Sequence, residues 1–191
     1  MNPSPTNLPN EAAVVRRVRG SSFPMSVAAA RAAAGEDTWR SLLADLSPRA
    51  RALAEAPPPF DTWIDADLVT ECWLAFRRAG NLGPVPGALG AETIRVRHPG
   101  AFQGPEELVA ALPGFWRGSV EGGVITAELT GPQSAVVRIW AAWPVPWFFQ
   151  RHVPAWFTHG LQIAGAHGAA VRHIPPAEPG GTLHEYHLLW S

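Results

Sequence analysis

The chain has 191 residues, 47% of them hydrophobic and 16% charged, with a formal net charge of -1. That length suits one domain with a sizeable core, and the near-zero charge argues against broad binding to a phosphate backbone. The one cysteine, Cys72, excludes an internal disulfide and a multi-cysteine zinc site and fits a reducing compartment.

Residues 1–12 hold three of the prolines among small polar residues and read as a flexible tail. No apolar run there resembles a signal peptide. No stretch reaches the roughly 18 apolar residues of a membrane span. The expectation is a cytoplasmic protein with one domain over residues 13–191, divided into a helical half (13–116) and a sheet half (117–191).

Residues 12–18 read as a short strand or an extended lead-in. Ser26–Ala34 is alanine-rich and helical, and Gly35 stops it. A second helix starts at Asp37 or Thr38, with Trp39, Leu42, Leu43 and Leu46 on one face. Ser47 before Pro48 is a cap-and-first-turn pair that opens a third helix to Ala56. Pro57–Pro59 ends it. Phe60–Ile64 leads into Asp65, which is expected to cap a longer helix, Ala66–Ala79. Leu68, Cys72, Trp73 and Phe76 give that helix an apolar face. A proline/glycine-rich loop over residues 83–90 precedes a short element at 91–96, which His98-Pro99-Gly100 breaks. Pro105–Leu112 is the next predicted helix, interrupted by Pro113.

The character changes near residue 117. Gly122-Gly123 is a turn, followed by predicted strands Val124–Leu129 and Ser134–Trp143. After Pro144 and Pro146 comes a helix, Val153–Ala164, and then strands Ala169–Ile174 and Thr182–Trp190. Helices followed by β-β-α-β-β predict an α+β fold with a four-stranded antiparallel sheet.

Four segments carry a family resemblance: TWRSLLADLSPRARALAEA (Thr38–Ala56), LPGFWRGSVEGG (Leu112–Gly123), WFTHGLQIAGAHGAAVRH (Trp156–His173) and HEYHLLW (His184–Trp190). They resemble a family of myxobacterial paralogues of about this length. That family is similar to the haem-NO-binding (H-NOX) and 4-vinyl-reductase ligand-binding superfamily, and the small TRAPP trafficking subunits share the related fold. The resemblance implies a helical half and an antiparallel sheet with a cavity between them, which in relatives holds haem, a small ligand or an acyl chain.

The family's chemistry does not transfer with the pattern. The resemblance implies a proximal histidine on the helical side, but the matching helix, PEELVAALPGFWRG, has none. The Tyr-x-Ser-x-Arg motif for haem propionates is missing, because the only tyrosine, Tyr186, lies in the last strand. His98 is the nearest substitute ligand, and no cofactor is expected. Acylation as in the trafficking subunits would need Cys72 to open on the cavity. The cysteines of 4-vinyl-reductase-type domains are absent, with His184 where the last would fall.

Other signatures fail. The seven histidines show no HxxxH, HxH or HExxH spacing for zinc. Strand alternation puts His184 and His187 on opposite faces. No lysine exists to complete a phosphate loop, and no G-x-S-x-G elbow is present. Asp67 and Glu71 share a helix face and read as a solvated face or, alternatively, an acid/base pair.

The aromatic stretch Trp140–Phe157 reads as core, as the lining of a pocket, or as an exposed contact patch. As a pocket, it implicates Trp73, Trp116, Arg138, Trp140, Trp156 and His159 as ligand-binding residues, with Gln162 as a further polar group. The WPVPWFF turn, Trp143–Phe149, is too apolar to stand free in water. It is expected to contact a partner or second subunit, or the domain's own helices. The expected function is a non-catalytic ligand-binding or sensory module for a small hydrophobic molecule. The alternatives are an interaction scaffold with a filled core, and an enzyme using a histidine acid/base on an apolar substrate.

Overall fold

The computed structural model describes residues 13–20, 23–78, 102–178 and 181–191. The proposed tail, the 83–90 loop, the 91–96 element and His98 lie outside them.

The N-terminal part is helical. It comprises β1 (Arg17–Arg19), α1 (Phe23–Ala34), α2 (Glu36–Asp45), α3 (Pro48–Glu55), β2 (Trp63–Asp65) and α4 (Ala66–Arg78). Local chemistry sets the boundaries. Gly35 takes φ 73°, a left-handed conformation natural to glycine, between α1 and α2. Ser47 Oγ accepts from the Ala50 amide at 3.3 Å, so α3 starts where the Ser-Pro pair placed it. The Glu71 carboxylate accepts from the Ser47 amide at 2.5 Å and from its hydroxyl at 2.8 Å, tying α4 to the start of α3. Glu71 therefore serves a helix cap, and the acid/base pair with Asp67 is not formed by it. The Ala66 amide donates to Arg16 O at 2.8 Å, so the residue before β1 supplies an acceptor at the start of α4. The Asp65 carboxylate takes Arg49 instead.

The C-terminal part comprises α5 (Pro105–Ser119), β3 (Val120–Glu121), β4 (Val124–Gly131), β5 (Ser134–Trp140), a π-helical turn (Phe148–His152), α6 (Val153–Ile163), β6 (Ala170–Ile174) and β7 (Leu183–Leu189). The predicted antiparallel sheet is present, in the order β4-β5-β7-β6. Helix α5 lies against β4, and α6 lies against β6 and β7.

Three expectations need correction. Pro113 does not interrupt α5, which runs on to Ser119. Leu108, Val109, Leu112 and Trp116 are all buried along it, and Trp116 Nε1 donates to Gly122 O at 3.1 Å. Tertiary packing holds the helix across the lost amide donor. Second, Phe60–Ile64 is not a mere lead-in, because Trp63–Asp65 is a strand. It pairs with β1, and β1 pairs with β3, in a second sheet of order β2-β1-β3. That sheet spans the boundary at residue 117. Third, β5 ends at Trp140, not Trp143. The Ala142 amide donates instead to Ala13 O at 2.7 Å.

The turn before β4 needs its glycines. Gly122 and Gly123 take φ 101° and 69°, and a Cβ on Gly122 would stand 1.9 Å from Val14 O. The N-terminal segment passes directly over this turn. The core joins both parts, with Phe23, Val69, Phe76, Leu108, Val137, Phe157 and Tyr186 among its members. Among the described residues no helix is long and apolar enough to cross a membrane.

Candidate functional site

The junction between α4 and the segment after β5 is an aromatic cluster. On α4, Thr70 and Trp73 are three apart and lie on one helix face. Pro144 and Pro146 end the extended run after β5, and the π-helical turn follows. Such turns shift the side-chain register and are frequent at functional sites. The segment turns Trp143, Trp147 and Phe148 back onto Trp73. Ring centroids lie 5.3 Å from Trp73 to Trp143, 4.8 Å to Trp147 and 6.1 Å to Phe148. His152 stacks on Phe148 at 4.9 Å.

Polar satisfaction inside the cluster is uneven. Trp143 Nε1 donates to Thr70 Oγ1 at 2.7 Å, and Thr70 Oγ1 donates to Ala66 O at 2.7 Å. The indole nitrogens of Trp73 and Trp147 are buried and find no acceptor among the described residues. Buried donors in native proteins nearly always have partners, so two neighbouring exceptions stand out.

A second group lies on the inner face of the sheet. His173 Nε2 and His184 Nδ1 share a hydrogen bond at 3.1 Å. His184 stacks on Phe149 at 3.9 Å, and His173 on Tyr186 at 4.7 Å. Tyr186 donates to Phe149 O at 2.9 Å. Burial lowers the His184 pKa to about 4, with His173 adding to the effect, and burial lowers that of His173 as well. Both rings are therefore neutral near pH 7.

A third group lies on the outer face. Arg138 Nε donates to Glu185 at 2.7 Å, and His187 Nε2 meets the other Glu185 oxygen at 2.7 Å. The His187 bond first, and Arg138 second, hold the Glu185 carboxyl below its usual range.

The six sequence-predicted ligand residues do not meet at one place. Trp73 lies in the aromatic cluster. Trp116 is engaged with Gly122 O. Arg138 and Trp140 alternate with Val137 and Ile139, so they occupy the outer face of the sheet, away from α4. Trp156 meets Phe115 edge-on at 6.1 Å. His159 and Gln162 are exposed on α6, whose buried face carries Val153, Phe157 and Leu161. Helical periodicity turns them to solvent, away from any interior ligand. Sequence reasoning left out Trp143, Trp147, Phe148 and Thr70 as members of one site with Trp73. Only the apolar density of the WPVPWFF turn signalled them.

That turn packs against its own chain. Trp143, Val145 and Phe149 are buried, while Pro144, Pro146 and Gln150 are exposed. Cys72 is fully buried, with Sγ donating to Ala50 O at 3.4 Å. Burial, with Glu71 adding, pushes its thiol up to about 12, so the thiolate that acylation needs is scarce. A separate open groove of about 840 Å³ lies among α1, α2 and α3, beside Val27, Trp39 and the Arg31–Glu36 ion pair.

The fold is that of the H-NOX domains. The chain superposes on the Fe(II) unliganded H-NOX protein from K. algicida with a TM-score of 0.66 at 8% identity, over 91% of this chain and 96% of that one. A single-residue variant of Tt H-NOX gives 0.60 at 10% identity, over 90% and 94%. An oxygen-binding H-NOX domain related to soluble guanylate cyclases gives 0.53 at 10% identity, over 81% and 92%. The expected H-NOX resemblance therefore holds at the level of fold. No family model and no curated protein matches the chain.

Haem is the group this fold brings to mind, and helix α5 offers it no ligating side chain. A haem iron needs a ligating side chain with an open nitrogen facing room for the porphyrin. Helix α5 buries Leu108, Val109, Leu112 and Trp116, none of which can serve. The buried His184 is stacked on Phe149 and bonded to His173, and the buried His152 is stacked on Phe148. Among the described residues no group of three or more His, Cys, Asp or Glu side chains could hold a metal ion.

Proposed function

We propose that the protein is a non-catalytic ligand-binding or sensory module for a small hydrophobic molecule, reporting through protein contacts. One observation carries this reading: the segment Trp143–Phe148, which leads from β5 into the π-helical turn, lays three aromatic rings on Trp73 of the helical part. A molecule bound at that junction would touch both parts. It would bias their relative placement by its differential affinity for the two arrangements. An exposed surface responding to that shift would supply the output.

Close ring packing within the cluster favours a second reading, an interaction scaffold whose interior is filled by its own side chains. Native mass spectrometry of the purified protein, beside a denatured run and an absorption spectrum, separates the two. The ligand reading expects added mass that vanishes on denaturation. A bare monomer or dimer mass favours the scaffold. A Soret band would restore haem and overturn the donor argument above.

A further inference from the structure

The two unpartnered indoles say something about the chemistry of the ligand. Trp73 is 4% exposed, and its Nε1–H finds no acceptor among the described residues. The Trp147 ring lies 4.8 Å away, tilted by 55°, and its Nε1–H is equally buried and equally unanswered. The third indole of the cluster, Trp143, has its acceptor in Thr70. Among the described residues the site therefore supplies one acceptor for three buried donors. An unsatisfied buried donor loses its water without recompense. Two neighbouring buried indole donors with no acceptor among the described residues mark a place where a further acceptor can bind.

We infer that the ligand of this junction is an apolar molecule carrying a hydrogen-bond-accepting oxygen, such as a carbonyl, which the Nε1–H groups of Trp73 and Trp147 bind. This deepens the ligand-binding reading above and rests on it. Aromatic faces supply sequence-blind apolar contact, whereas the two N–H groups supply orientation and discrimination. A site built to donate hydrogen bonds rejects an isostere that cannot accept them, because its donors are then left buried and unpaired.

A matched pair of probes tests it. Acetophenone and α-methylstyrene have the same planar shape, with a carbonyl oxygen in one and a methylene in the other. Each is titrated into the full chain labelled with ¹⁵N, and the indole N–H resonances are followed, assigned with Trp73→Phe and Trp147→Phe. The expected result is a saturable downfield shift of both resonances with acetophenone, and none with α-methylstyrene. Trp147 is only half-buried, so Trp147→Phe keeps a ring at a tolerant position. It is expected to weaken acetophenone about tenfold. Saturable binding of both probes without a downfield indole shift overturns the acceptor inference and leaves the apolar-ligand reading standing. Saturation by neither probe overturns both. The titration on the unmutated chain decides the matter even where a variant fails to fold.

Discussion

Trp143 and Thr70 are 73 positions apart in sequence, yet the indole of one donates to the hydroxyl of the other at 2.7 Å inside the core. This bond fixes the segment after β5 to α4 and so sets the position of the whole aromatic cluster. Thr70→Val keeps the shape and removes the acceptor, leaving the Trp143 donor buried and unpaired. The expected loss is about 1–3 kcal/mol of stability, read by urea denaturation. Thr70→Ser keeps the hydroxyl and is expected to lose less than half of that. An unchanged stability in Thr70→Val would mean that the Trp143–Thr70 bond does not hold the segment to α4.

Stability is expected to fall with pH below neutrality because of His184. Its folded pKa is lowered to about 4, against an ordinary value of 6.5. Between those values the unfolded chain binds the proton and the folded one does not. The stabilisation is therefore complete above about pH 6.5 and is lost as pH falls toward 4. Its full size is on the order of 3 kcal/mol. Urea midpoints at pH 7.5 and 4.5 should differ markedly in the wild type and much less in His184→Gln. An unchanged difference in that variant would move the effect to another group.

Cys72 is expected to resist alkylation in the folded protein. Its thiol, pushed up to about 12, holds almost no thiolate at pH 8. Mass spectrometry after iodoacetamide treatment should show labelling at least about 100-fold slower in buffer than in 6 M guanidinium. Comparable rates would place the thiol on an accessible surface and reopen acylation at this residue.

Pro113→Ala is expected to stabilise the protein. Pro113 sits inside the continuous helix α5 without an amide donor, and an interior proline costs a helix about 3 kcal/mol relative to alanine. Packing already offsets part of that, so a gain of about 1–2 kcal/mol is the expectation, seen as a higher melting temperature. A loss would mean that the ring of Pro113 makes contacts worth more than the restored hydrogen bond.

The sequence alone determined what depends on near neighbours along the chain. Ser47-Pro48 started a helix, Gly35 separated two others, and alternation in the last predicted strand, Thr182–Trp190, placed His184 and His187 on opposite faces of an antiparallel sheet. Caps, turns and periodicity act over a few residues, so their signals are written locally. Tertiary structure decided what depends on distant partners. It carried α5 through Pro113, and it formed a second sheet from three short strands far apart in sequence, none with a strong local signal. It turned His159 to solvent and placed Arg138 and Trp140 on the outer face. It also brought Trp147, just ahead of a π-helical turn that composition does not announce, within 4.8 Å of Trp73. Which aromatic rings meet is fixed by how two halves of the chain dock. That docking minimises the free energy of the whole core rather than of any one segment.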